Sequence, residues 1–162
     1  MTSLAQALGL DVQAQGVDVA SKTLTQMAKR GSDPRPAFRS ISDELRAAEA
    51  QWYASEGDHT WPALLPETID AKMRRGEPST PMIATRALVH SLTAKRWPGA
   101  VRSSTRRQMR FGTKVYYARF HQGGAFPNPV RKVLLPVDTR TRRRMVSEVR
   151  DYLMGRKKGK PS

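Results

Sequence analysis

Phe38, Ile41, Leu45, Ala48 and Trp52 recur at spacings of three and four residues, with Arg39, Asp43, Glu44 and Arg46 between them. That spacing predicts an amphipathic helix with one face buried and the other wet, ending near Gly57. It is the clearest element in the chain, and the other elements are read around it.

Upstream, residues 1–10 read as a weakly ordered arm. Val17, Ala20, Leu24 and Met27 then mark a short amphipathic helix, broken by Gly31, Ser32, Asp33 and Pro34. Asp33 is expected to cap the long helix, with Pro34 in its first turn. Downstream, Trp61, Leu64, Leu65 and Ile69 continue apolar burial through a loop and a short helix at Pro66–Arg75, and Gly76, Pro78 and Pro81 make a loop. Leu88 and Leu92 predict a helical turn within Thr85–Thr93. Residues 100–113, with Val101, Met109 and Phe111 alternating, read as strands of a small antiparallel sheet. A helix over 114–122 is stopped by Gly123 and Gly124. A loop with Pro127 and Pro129 leads into VRKVLLP, which reads as a strand. Asp138 or Thr139 caps a last helix whose apolar stripe is Met145, Val146, Val149, Tyr152 and Leu153. Residues 155–162 read as a basic disordered tail. The expected class is α+β: a small antiparallel β-sheet flanked by helices, with a long amphipathic N-terminal helix and a basic C-terminal helix, in one domain over residues 11–154.

Apolar residues make up 38% of the 162, below the roughly 45–50% of a typical globular chain when glycine is included. The core is therefore expected to be thin and to gain from burial between subunits. There is no cysteine, which excludes disulfides and thiolate metal sites. No apolar run is long enough to span a membrane, and the first residues lack a signal-peptide pattern, so a protein made in the cytoplasm is expected. The net charge of +15 is unevenly placed: residues 1–93 carry 10 Lys or Arg against 11 acids, and residues 94–162 carry 19 against 3. Such asymmetry points to one face meeting a polyanion. The competing reading is a solvated tail with an ordinary charged helix face.

Catalytic chemistry has little to work with. His59, His90 and His121 lie in separate elements without metal-ligand spacing, and no phosphate loop, nucleophile elbow or HExxH helix occurs. No cofactor and no enzymatic activity are expected. His121 is read as structural, its ring bonding loop backbone or a neighbouring subunit. Tyr116, Tyr117 and Phe120, near Arg110, Lys114 and Arg119, could stack on bases, but aromatics at helical spacing are more often core. On the last helix Arg140, Arg142, Arg143, Arg144 and Arg150 stand in a region with only three acids. Several of them must face water, phosphate or an acidic partner.

VYYARFHQG (residues 115–123) resembles the YAxxHQxG signature of the phage virion morphogenesis family, the tail completion proteins of tailed bacteriophages. Further similar segments follow the family's order: EGDHTWPALLPETIDAK from Glu56, TRALVHS from Thr85, PVRKVLLPVD from Pro129, and a last helix ending in Tyr152 and Leu153. Arg86 replaces a family glycine, and Lys132, Val133 and Leu135 replace the usual Pro, Phe and Gly. The resemblance implies a virion subunit of the neck that forms a ring, commonly a hexamer, at the head-proximal end of the tail. Implied partners are the connector or stopper and the tail tube, with non-specific contact to packaged DNA and none to membrane. On this reading Tyr117, His121, Gln122 and Arg131 serve subunit or partner interfaces, and Arg140, Arg142, Arg143 and Arg144 meet DNA or an acidic partner. The competing class is a cytoplasmic basic DNA-binding protein, against which the sequence shows no short turn joining two helices as helix-turn-helix readers require.

Overall fold

A computed structural model describes residues 17–124 and 129–156. The expected arm at 1–10, most of the basic tail and Pro127 lie outside the described residues. Along the chain come α1 (Val17–Gly31), α2 (Arg35–Ala54), α3 (Pro66–Arg74), α4 (Ala87–Thr93), β1 (Ala100–Ser104), β2 (Met109–Thr113), α5 (Ala118–Gly123) and α6 (Thr139–Met154). The fold is α+β and mostly helical, with one two-stranded antiparallel sheet among the described residues.

α2 is the beam on which the rest is assembled, packing against α4, α6 and β1. Its fully buried positions are Ala37, Ile41, Glu49 and Tyr53, while Phe38, Leu45, Ala48 and Trp52 are half-buried. The buried centre is thus rotated from the expected stripe, because α4 and α6 cover α2 from different sides. The cap expectation also needs correcting. Pro34 itself occupies the N-cap, and the Asp33 carboxylate accepts the Arg35 backbone N–H at 3.3 Å and its guanidinium at 2.7 Å. The arginine claims a carboxylate that would otherwise reach further into the first turn.

The main core gathers Tyr53, Trp61, Leu88, Leu92, Ala118 and Val133, with Phe111, Val115 and Leu134 packed on it. Leu88 and Leu92 are one helical turn apart on α4, so both enter the core together. Leu65, expected in the core, is exposed because it stands at the N-cap of α3. Gly57 closes the α2 turn at φ +70°, and a Cβ there would lie 2.3 Å from the Trp61 indole nitrogen, so only glycine fits.

The β1–β2 hairpin pairs Ala100 with Thr113 and Arg102 with Phe111. The Arg102 guanidinium lies 5.3 Å from the Phe111 ring centroid and donates to Ala94 O at 2.6 Å and to the Ser91 and Leu92 carbonyls. It thereby satisfies the exposed carbonyl end of α4 and ties that helix to the sheet.

Two further expectations change. α5 begins at Ala118 rather than Lys114, because residues 114–117 form a turn in which Val115 N–H donates to Thr113 Oγ1 at 3.0 Å. VRKVLLP is not a strand. Its backbone donors go to distant side chains: Val133 and Leu134 N–H to Gln122 Oε1 at 2.7 and 3.1 Å, and Leu135 N–H to Glu49 Oε1 at 2.9 Å. Trp52 Nε1 donates to Lys132 O at 2.9 Å from the other side. The segment bends at Val133 and Leu134, which lets both amides reach the same Gln122 oxygen, so its peptide groups are satisfied without a neighbouring strand.

The periphery is different. α1 has no buried residue, and residues 17–26 are all exposed. It is fastened to α6 near its end, where Arg30 Nη1 donates to Leu153 O at 3.1 Å. α6 is capped by Asp138, which accepts the Thr141 N–H at 2.7 Å, and is anchored where Tyr152 Oη donates to Asp33 O at 2.9 Å. Its stripe lacks Val146, which is 64% exposed because it stands on the face turned away from α1 and α2.

Candidate functional site

The irregular segment from Pro129 and the short helix α5 bring Tyr117, His121, Gln122 and Arg131 together. The His121 carbonyl accepts the Arg131 N–H at 2.9 Å, which sets the two elements in register. The Tyr117 and His121 rings meet edge to face with centroids 6.3 Å apart. Gln122 spends its side-chain oxygen on the Val133 and Leu134 amides, and Arg131 spends its guanidinium on Pro62 O (3.0 and 2.8 Å) and Ala63 O (3.1 Å). The polar groups of both residues are therefore engaged within the subunit.

Tyr117, His121 and Arg131 line a cleft of about 640 Å³ together with Leu64, Leu65, Met82, Ile83 and Pro129, and Gln122 faces a different hollow. Arg131 is 5% exposed, and burial alone pulls its pKa down, with no carboxylate acting on it. Lys72, also buried, donates to the Ile83 carbonyl and lies 3.8 Å from Glu77, which Arg75 holds at 2.8 Å. The cleft thus contains Lys72, Arg75 and Arg131 against Glu77 alone. His121 Nδ1 is buried without a hydrogen-bond partner, contrary to the expectation that the ring bonds loop backbone; the backbone carbonyl makes that bond instead. Burial first and the Arg131 charge second hold the imidazole below its ordinary pKa, so it is neutral at pH 7.

The second charged surface is α6. Arg140, Arg142, Arg143 and Arg144 are all exposed, and Arg140, Arg143 and Arg144 border an open hollow with Asp138 and Ser147. They share no lining residue with the cleft. Arg140 stands in the first turn, where a helix N-terminus disfavours cations, and Arg142, Arg143 and Arg144 follow it on the next turn. The first turn holds no acid to offset them, and the cap residue Asp138 has its pKa lowered by the Thr141 amide.

The aromatics divide. Tyr117 is half-buried against the core, whereas Tyr116 and Phe120, read as more often core, face solvent, with the Arg119 guanidinium 4.7 Å from the Phe120 centroid. Three buried or half-buried ionic groups escaped the sequence reading: Glu49, Lys72 and Arg102. Glu49 left one signal, since it lies two turns beyond Ile41 and one before Tyr53, on the face that α2 buries. Its second oxygen has no partner, and burial pushes its pKa up to about 7.

Among the described residues no group of three His, Cys, Asp or Glu side chains could hold a metal, and no helix is long and apolar enough to cross a membrane. The described residues thus offer a cationic cleft and a cationic helix rather than a metal centre. The chain belongs to the phage virion morphogenesis family, which matches residues 14–155. It is accordingly a bacteriophage virion morphogenesis protein of the tail, structural and not enzymatic. No curated protein and no solved structure matches the chain.

Proposed function

We propose that the chain is a tail completion or terminator component of the neck, forming a closed ring, a hexamer in the arrangement expected for the family, around the DNA path. It joins the connector or stopper on one side to the tail tube on the other. The observation that carries this reading is the row of exposed arginines at the amino-terminal end of α6. Exposed like charges crowded into one stretch of helix repel one another, and an anionic neighbour relieves that repulsion. Arg140, Arg142, Arg143 and Arg144 meet phosphate or an acidic protein surface, without base readout. The thin core supports the ring, because heterologous contacts on both flanks supply burial that the monomer lacks. Tyr117, His121, Gln122 and Arg131 serve a second interface at the cleft: Tyr117, His121 and Arg131 line it, and Gln122 fixes the segment that carries Arg131.

A specific DNA reader is the second reading. α1 and α2 are joined by only Ser32–Pro34, so, contrary to the expectation from sequence, a short turn does join two helices. The arginine helix is not part of that pair, however, since an irregular segment precedes α6. Replacing Arg140, Arg143 and Arg144 together by Glu separates the readings. The variant is expected to melt within a few degrees of the parent, yet to leave heads and tails unjoined when a phage depends on it. Joined particles at the parental yield would contradict the proposal.

A further inference from the structure

The cleft at Arg131 holds more cations than anions: its one carboxylate, Glu77, is already paired with Arg75 and Lys72. Lys72, Arg75 and Arg131 stand against Glu77, and the Arg131 guanidinium is nine-tenths buried with no carboxylate acting on it. Desolvating a cation without neutralising it is costly, and an incoming carboxylate recovers part of that cost through charge-assisted hydrogen bonds. His121 Nδ1, buried and unpartnered in the same wall, is a further donor available to it. Leu64, Leu65, Met82, Ile83 and Pro129 make the rim apolar, which suits a peptide carrying a carboxylate between apolar side chains better than a nucleic-acid backbone.

One segment of this chain has that chemistry. Residues 1–16, outside the described part, contain a single acid, Asp11, flanked by Leu10 and Val12, with Leu8 beyond. They lead into α1, whose residues 17–26 are all exposed. Asp11 stands six residues before Val17, so an extended chain carries it about 20 Å from the start of α1.

We propose that the segment around Asp11 of one copy occupies the Arg131 cleft of the next, the Asp11 carboxylate facing Arg131 and Leu10 and Val12 covering the apolar rim. The inference rests on the ring reading above and names the contact that links its members. Each copy gives one segment and receives one, a head-to-tail pattern that closes only in a ring.

The chain has no native cysteine, so single cysteines report this contact cleanly. Full-length Gln13→Cys and Ala84→Cys chains are mixed under mild oxidation, both in solution and after incorporation into particles; Ala84 is an exposed residue of the cleft wall. The expected product is a mixed disulfide dimer, its yield lowered about tenfold when Asp11→Lys is added to the first chain. Closed assemblies seen by light scattering or in particles without this cross-link overturn the inference and leave the ring standing. A cross-link that survives Asp11→Lys unchanged overturns the role of the carboxylate. A doubly substituted chain that cross-links only within itself overturns the exchange between copies. No closed assembly in particles overturns the ring reading, and this inference with it.

Discussion

The centre and the periphery of this subunit are built on different terms. Around α4, the hairpin and α5, apolar side chains fill the interior, Leu92 is 0% exposed, and polar groups such as Arg102 are spent on holding elements together. α1 and α6 bury no residue fully, and they display Leu24 at 65% exposure and a row of arginines. The few buried apolar residues are thus concentrated in the centre, and the periphery is left wet and cationic.

Paired truncations test that contrast most sharply. Leu92→Ala should cost about 3 kcal/mol or more in urea denaturation, while Leu24→Ala on α1 should stay within about 0.5 kcal/mol. Equal losses at the two positions would erase the distinction.

Glu49 comes next, as the ionisable group that the centre buries, 2% exposed. Its folded pKa, about 7, lies above the ordinary value of 4.5, so between those values the folded state binds a proton that the unfolded state has released. Stability from this group is therefore full below about pH 4.5, falls as pH rises, and levels off above about 7. Glu49→Gln keeps an oxygen for the Leu135 amide and removes the titration. Relative to the parent it should gain up to about 3 kcal/mol across that window, read from melting curves at several pH values. A parallel pH dependence in both proteins would show that the carboxylate stays ionised.

Arg131→Met should cost about 2 kcal/mol in the same denaturation assay, because the Pro62 and Ala63 carbonyls lose their donor while the stem volume is kept. The smallest effect is a gain. Arg86 holds a left-handed φ of 61° at the start of α4, where the resembling family carries glycine. Arg86→Gly should add roughly 1 kcal/mol by relieving that conformation.

These positions also show what a sequence yields and what it hides. The α2 helix, the Leu88 and Leu92 pair, the hairpin and the Asp138 cap depend on local spacing and local chemistry, so they are legible, whereas the face that α2 buries most fully is rotated from its apolar stripe. The irregular segment at 131–135 is not legible, because its peptide groups are satisfied by Gln122 and by Glu49, the latter 86 residues away in the chain. Glu49 itself reads as one more charge on a helix until α2 is seen covered from two sides. Tyr117, His121, Gln122 and Arg131 were found through a signature, and the structure places them side by side. The buried Lys72 beside them carried no such mark, since its burial follows from the loop that folds over α3 to put the Ile83 carbonyl in reach.

The account turns on where the cationic side of α6 points once copies have come together. An image of the intact neck at side-chain resolution answers this directly. It should show a closed ring of this chain with Arg140, Arg143 and Arg144 turned toward DNA or an acidic protein surface. Those arginines directed into bulk solvent, or copies that form no closed ring, would contradict it.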